Sequence, residues 1–381
     1  MIISTTTYLF FKVLIITTLI QCLACSRKDI PYEALNYPAT RKDDVMSSGY
    51  GKLKRHDLKL LIESLYDLEV KNMQEGDRGI LVYTDKGIKR LKETKSDEAN
   101  ILFAASAYEH IYNNGFRQIS CINKNLNGSY QMKYDKNNYI LQDFNKGKVY
   151  VVDSKSAAAT VGKALAEFHK AGEHFVPVPG SRARVDWGKW MEKFKANSIS
   201  LKKYKEIVCL KEKRNGFDKL FAEHVDELLD NIYCSYKLLA DNGYLDKVRQ
   251  AMTCNQITHN EFKKHAILEE EAGEVFITNF EECSYDICEF DIATLFESFS
   301  GKNKVELINA AAEAYSSIKP LDSCSMKIIK AFLLYPKRYY KVVESAYGKR
   351  KNYNEVELEL KLERSIRREK RKEELVKLLD S

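Results

Sequence analysis

Two stretches of this 381-residue chain carry side chains whose types and spacing could do chemistry. The first runs Ile257-Thr-His-Asn-Glu-Phe-Lys-Lys-His-Ala-Ile-Leu268, followed by Val275-Phe-Ile-Thr-Asn-Phe280. It sets an imidazole at His259, a carboxylate at Glu261 and a carboxamide at Asn279, with another carboxylate at Asp291. Such groups on a short hairpin suit proton transfer or cation binding through oxygen. The second stretch is Gly79-Ile-Leu-Val-Tyr-Thr-Asp-Lys-Gly-Ile-Lys-Arg-Leu-Lys92, where Lys92, or its competitor Lys89, could pair with an anion. The cysteines offer less. There are nine, an odd number at irregular spacing, and the only C-x-x-C is Cys22–Cys25 inside an apolar run. No second pair lies at zinc spacing, so neither a zinc site nor a disulfide framework is expected.

The elements around these stretches differ along the chain. A helical stripe starts near residue 57 with Leu58, Leu60, Leu61, Ile62 and Leu65. The Gly79–Lys92 stretch reads as a β-hairpin turning at Asp85-Lys86-Gly87, where glycine supplies a positive φ. Residues 97–114 read as a helix capped by Asp97 and stopped by Gly115. Residues 119–122, 129–134 and 139–143 read as strands, with a turn at Asn127-Gly128. After residue 145 helices dominate, at 154–171, 188–212 and 217–241. A short β island covers 256–280, and helices return at 289–300, 303–317, 324–334 and 336–346. The expected division is an apolar extension at 1–45, a small α+β lobe at 46–144, a large helical lobe at 145–350 and a charged helix at 351–381.

Composition bounds the function classes. Apolar residues make up 44% and charged residues 30%, an ordinary globular mix that excludes wholesale disorder. The net charge of +7 is spread along the chain, which argues against a nucleic-acid partner. Residues 351–381 hold nine basic and eight acidic side chains without a block of either sign, so a solvated helix or a partner helix is expected there. Residues 8–25 form an apolar run that is short for a membrane span and lacks preceding basic residues. The first reading is a dispensable extension with a start near Met46. The second is a membrane anchor through residues 8–25, which makes a membrane partner depend on keeping residues 1–25, with Cys22-Leu-Ala-Cys25 a loose lipoprotein-like box.

A small sheet-bearing lobe followed by a helical lobe with one hairpin is the layout of a kinase fold, whose catalytic loop reads H-x-D-x-x-x-x-N. The 257–268, 275–280 and 285–296 stretches resemble the core of aminoglycoside-phosphotransferase-like kinases, within the choline-kinase-like and protein-kinase-like superfamily. Tyr83–Lys92, His110–Phe116, Leu165–Lys170 and Ile328–Arg338 bring the chain nearest to the CotS-type spore coat proteins of endospore formers. The resemblance covers most of residues 57–375. It implies a bilobal α+β fold with a small, mostly antiparallel-sheet lobe and a larger helical lobe. It also implies a place in the spore coat or the cytoplasm of the sporulating cell, with other coat proteins as partners.

The resemblance implies roles position by position. The catalytic aspartate falls on Glu261, whose extra methylene moves the acceptor by about 1.5 Å, a displacement able to cost ~100-fold. The metal-binding asparagine falls on Ala266, and a methyl group cannot hold Mg²⁺. The second metal-binding aspartate falls on Asn279, a neutral amide. Asp291 takes the role of loop support, and His259 is a packed loop residue. In the small lobe Lys92 takes the place of the phosphate-pairing lysine, with Glu98 or Glu109 as its partner. Residues 141–144 fall on the hinge, so the backbone of Leu141 and Asp143 is expected at the adenine. Residues 75–79 lack the G-x-G-x-x-G form. By resemblance the cofactors are ATP and Mg²⁺. Three altered positions within 19 residues point to a kinase-fold module that has lost its chemistry, the alternative being an active small-molecule phosphotransferase with altered metal ligands.

Overall fold

The structure is a computed structural model that describes residues 49–76, 79–145, 147–269, 273–299, 304–348 and 354–379. The expectations for residues 1–45, Met46 and Cys22–Cys25 lie outside the described residues, as does the middle of the 75–79 turn. The chain divides into two compact units between Lys89 and Arg90.

The first unit holds helix α1 (Gly49–Tyr66) and strands β1 (Val70–Gly76) and β2 (Gly79–Thr84). Leu58, Ile62 and Tyr66 are its buried stripe. The two strands pair antiparallel from Val70 opposite Thr84 to Gly76 opposite Gly79. Strand β1 was not read from the sequence because only Val70 and, in part, Met73 leave the solvent, so no alternation marks it. The expected turn is present: Gly87 has φ +93°, and Thr84 Oγ1 donates to its carbonyl at 2.6 Å. Strand β3 (Gly87–Thr94) starts here and continues into the second unit.

In the second unit β3 lies beside β5 (Asn137–Asp143), and β4 (Met132–Tyr134) pairs antiparallel with β5. Helix α2 (Glu98–Asn113) starts where Asp97 accepts a hydrogen bond from the Asn100 N–H. The 119–122 segment is not a strand but touches its neighbours at single positions, Ile119 with Ile277 and Ile122 with Gln142. Strand β4 begins three residues later than expected. Asn125 is the reason: its side-chain oxygen accepts the N–H groups of Asn127 and Ser129, and its amide donates to Gln131, so local bonds displace the ladder.

The helices follow as α3 (Lys155–Ala171), α4 (Lys189–Cys209), α5 (Gly216–Asp241) and α6 (Tyr244–Thr253). The last was not foreseen, although Tyr244, Val248 and Ala251 form a buried stripe after Gly243. Short strands β6 (Lys148–Val149), β8 (Ile267–Glu269) and β9 (Val275–Ile277) form one small sheet. Strands β7 (Ile257–Thr258) and β10 (Ser284–Tyr285) pair as another. Helices α7 (Cys288–Ser298), α8 (Lys304–Ser316), α9 (Ser323–Leu334), α10 (Lys337–Tyr347) and α11 (Glu355–Leu378) complete the unit. Its core is one contiguous cluster running from Ile101 to Leu375.

Helix α11 corrects the expectation of a solvated or partner helix. It packs on α5, α9 and α10 and buries Leu362, Ile366 and Leu375. Two charges on the same face are buried with them: Lys372 donates to the Tyr335 carbonyl at 2.9 Å and lies against Glu369. The near balance of charge hid the stripe, because part of the inward face is itself ionic.

Candidate functional site

The loop from His259 to Ala266 is held by one buried carboxylate. Asp291, on the first turn of α7, accepts the backbone N–H of His259 at 2.7 Å and that of Asn260 at 2.9 Å. The same carboxylate accepts His169 Nε2 at 3.1 Å, and His169 Nδ1 lies 2.8 Å from the Tyr315 hydroxyl. Burial lowers the pKa of His169 against the pull of Asp291, so the neutral ring donates one N–H and accepts from the tyrosine. The loop turns through Asn260 at φ +65°, a left-handed position that asparagine tolerates.

His259 is fully buried and is not poised for proton transfer. Its Nε2 donates to the Thr278 carbonyl at 2.9 Å, and burial, the largest cause, lowers its pKa. Glu261 is half-buried, with its carboxylate 2.8 Å from Lys263 Nζ. Burial raises its pKa, but the hydrogen bond and charge of Lys263, with Lys337 and Lys341 beyond, outweigh burial and hold it ionised. A cavity of about 380 Å³ opens beside Glu261, with Trp190, Tyr335 and Lys337 among its walls.

The two expected metal positions do not fit a divalent cation. Ala266 is buried, and its methyl group carries no oxygen. Asn279 sits in the left-handed region at φ +61° and donates its amide to the His265 carbonyl at 3.1 Å and to Thr278 Oγ1 at 3.2 Å. The amide N–H ties the strand end back to the loop, a bond that an ionised aspartate could not make. Among the described residues no three histidine, cysteine, aspartate or glutamate side chains gather to hold a metal.

Lys92 has a carboxylate partner, but not on α2. Its ammonium lies 3.0 Å from Glu281 Oε1, which also accepts Gln142 Nε2 at 2.5 Å. Glu109 instead accepts the Tyr130 hydroxyl at 3.1 Å. Glu281 is buried, which alone would raise its pKa, yet Lys92 and the hydrogen bonds lower it. Arg184 fixes the segment by donating to the Glu281 carbonyl and, at 3.1 Å, to Ser96 Oγ. Two of the backbone groups at the hinge positions have partners within the protein. The Leu141 carbonyl accepts the Asn123 N–H at 2.7 Å, and the Asp143 N–H donates to the Cys121 carbonyl at 3.0 Å. Sequence reasoning missed Gln142, Arg184 and Glu281, which meet only across 97 to 139 residues of chain and have no local signature.

Among the described residues no helix is long and apolar enough to cross a membrane. Residues 8–25 are not among them.

The chain resembles known proteins at two levels. It is 24% identical over 208 residues, 53% of its length, to the endospore coat-associated protein YutH of Bacillus subtilis strain 168, and the match spans about 60% of that protein. An aminoglycoside phosphotransferase from Alicyclobacillus acidocaldarius superposes with a TM-score of 0.65 at 15% identity, over 82% of this chain and 93% of that one. A spectinomycin phosphotransferase solved with ADP and spectinomycin gives a TM-score of 0.52 at 15% identity, over 84% and 98% of the two chains. At these identities the solved structures establish the fold, which is the α+β protein-kinase-like fold of the aminoglycoside phosphotransferases. The profile of the family described as "Spore coat putative kinase YutH" matches residues 59–379, and the chain belongs to this family of spore coat proteins with a kinase-like fold.

Proposed function

We propose that the protein is a catalytically degenerate kinase-fold component of the endospore coat, working through its surfaces and not through phosphoryl transfer. The observation that carries this reading is Asn279. Its amide is spent on the His265 carbonyl, where a phosphotransferase of this fold needs an anionic oxygen for its metal. The methyl group of Ala266 removes the second oxygen ligand. The coat-associated relative supports the location, with the coat or the cytoplasm of the sporulating cell as the compartment and other coat proteins as partners.

The test is nucleotide-dependent thermal stabilisation and turnover of the purified protein, with and without Mg²⁺. The expected result is no Mg²⁺-dependent shift and no turnover. Mg²⁺-dependent stabilisation by ATP that is abolished in Lys92→Met would support the active phosphotransferase instead. A fluorescent fusion followed through sporulation should end on the spore surface, and a signal left in the mother-cell cytoplasm would remove the coat role.

A further inference from the structure

The cavity beside Glu261 is lined by three lysines, Lys193, Lys337 and Lys341, and four carboxylates, Asp186, Glu261, Glu282 and Glu344. Lys337 and Lys341 stand one turn apart on α10, and Lys193 reaches the same cavity from α4. Among the described residues none of the three forms an ion pair, whereas the adjacent Lys263 is taken by Glu261. Lys337 is half-buried, and its ammonium lies 4.6 Å from the centroid of the Phe290 ring and 5.7 Å from that of Trp190. Lys193 lies 4.4 Å from the centroid of the Trp190 ring. The rings hold both ammonium groups in place without neutralising them.

Two of the four carboxylates have cationic partners of their own, which leaves the three lysines facing Asp186 and Glu344. Glu261 is paired with Lys263, and Glu282 faces Arg184 at 3.7 Å. Asp186 and Glu344 complete the acidic lining. Burial, then Lys341, Lys193 and Lys263, push the Lys337 ammonium down to about 8 against the pull of Glu261. Burial is the largest cause of this shift, and the neighbouring lysines add a repulsion that a bound anion would offset. Lys337 is also the first residue of α10, which has no side-chain cap, so the positive end of that helix adds to the same field. The volume of about 380 Å³ is that of a small-molecule site.

We propose that this cavity binds a small anion bearing phosphate or carboxylate groups, held by Lys337, Lys341 and Lys193. The site is independent of phosphoryl transfer and stands or falls separately from the loss of metal ligands. Isothermal titration of the full chain with pyrophosphate and with citrate, at matched ionic strength and neutral pH, tests it. The expected result is saturable binding of at least one probe, the preferred probe identifying the group recognised. Lys337→Gln combined with Lys341→Gln should weaken binding at least 10-fold. The exposed Lys193→Gln provides a variant that leaves α10 untouched, and it should weaken binding several-fold. Lys370→Gln, on the exposed face of α11, should leave affinity unchanged. Absence of saturable binding for both probes, or affinity unaltered in both lysine variants, would overturn the proposal. So would saturable binding of spermidine in place of the anions.

Discussion

Lys92 Nζ lies 3.0 Å from Glu281 Oε1, a partner only two residues beyond Asn279. The lysine that the resemblance places at the phosphates is thus fixed by a carboxylate from the segment after Asn279 and not by one from the helix that follows it. Gln142 closes the arrangement by donating to the same oxygen at 2.5 Å. The residues that the resemblance places at a nucleotide are thus joined to one another here.

Removing either partner leaves a charge in a buried setting. Glu281→Gln and Lys92→Met are each expected to lower the unfolding free energy by about 1–3 kcal/mol, the cost of an unsatisfied charged group. The double variant should recover part of the loss, giving a positive coupling in a double-mutant cycle measured by urea denaturation. A coupling near zero would show that the two side chains do not interact in solution.

Placing the ligands that the resemblance implies should separate two requirements. Asn279→Asp alone removes the donor to the His265 carbonyl and is expected to destabilise by about 1–3 kcal/mol. The triple variant Ala266→Asn, Asn279→Asp, Glu261→Asp should bind Mg²⁺-nucleotide more tightly than the wild type. Calorimetry with and without Mg²⁺ decides this. A triple variant that folds but gains no affinity would mean that the pocket, and not its ligands, is what has changed.

Much of the fold was legible because its signals are local. Asp97 caps its helix as its position suggested, and Gly87 and Gly128 turn the chain at positive φ. The helices after residue 154 follow apolar stripes at the helical period. Strand β1 and helix α11 were misread or missed because exposure in one case and buried charge in the other break the link between hydropathy and burial. The loop was legible through resemblance, since spacing within 20 residues survives in sequence. The partner of Lys92 was not. Glu98 and Glu109 are near it in the chain, whereas Glu281 is 189 residues away, and only the packed structure brings it to the lysine.

Helix α3 crosses α8 at Gly162. A Cβ at this position would overlap the Ala311 carbonyl oxygen and lie 2.8 Å from the Ala311 Cα, so neither helix can stay where it is. The contact is backbone on backbone and cannot be relieved by a rotamer change. Gly162→Ala is expected to destabilise by about 1–3 kcal/mol, despite the higher helix propensity of alanine. An unchanged urea midpoint would show that the two helices are further apart than described here.

Asp286 gives the chain a pH dependence with a definite sign. Its carboxyl is fully buried, with Oδ2 2.7 Å from Trp190 Nε1 and Oδ1 2.8 Å from its neighbour's N–H at Ile287. Burial is the largest influence and raises its pKa to about 8, against the two hydrogen bonds and with the help of Asp186 and Asp291. The unfolded chain ionises this group near pH 4. Below that pH both states are protonated and the group costs nothing. Between about 4 and about 8 the unfolded state releases its proton while the folded state keeps it, so stability is lost as pH rises. Above about 8 both states are ionised and the loss stops growing. Asp286→Asn keeps an oxygen for the Trp190 N–H and removes the titration. The unfolding free energy of the variant minus that of the wild type should therefore increase from pH 4.5 to pH 8 and then level off. Other titrating groups cancel in this difference, because both proteins carry them. Urea denaturation at five or six pH values across that range measures it, and a difference that stays flat would mean that Asp286 is ionised in the folded protein.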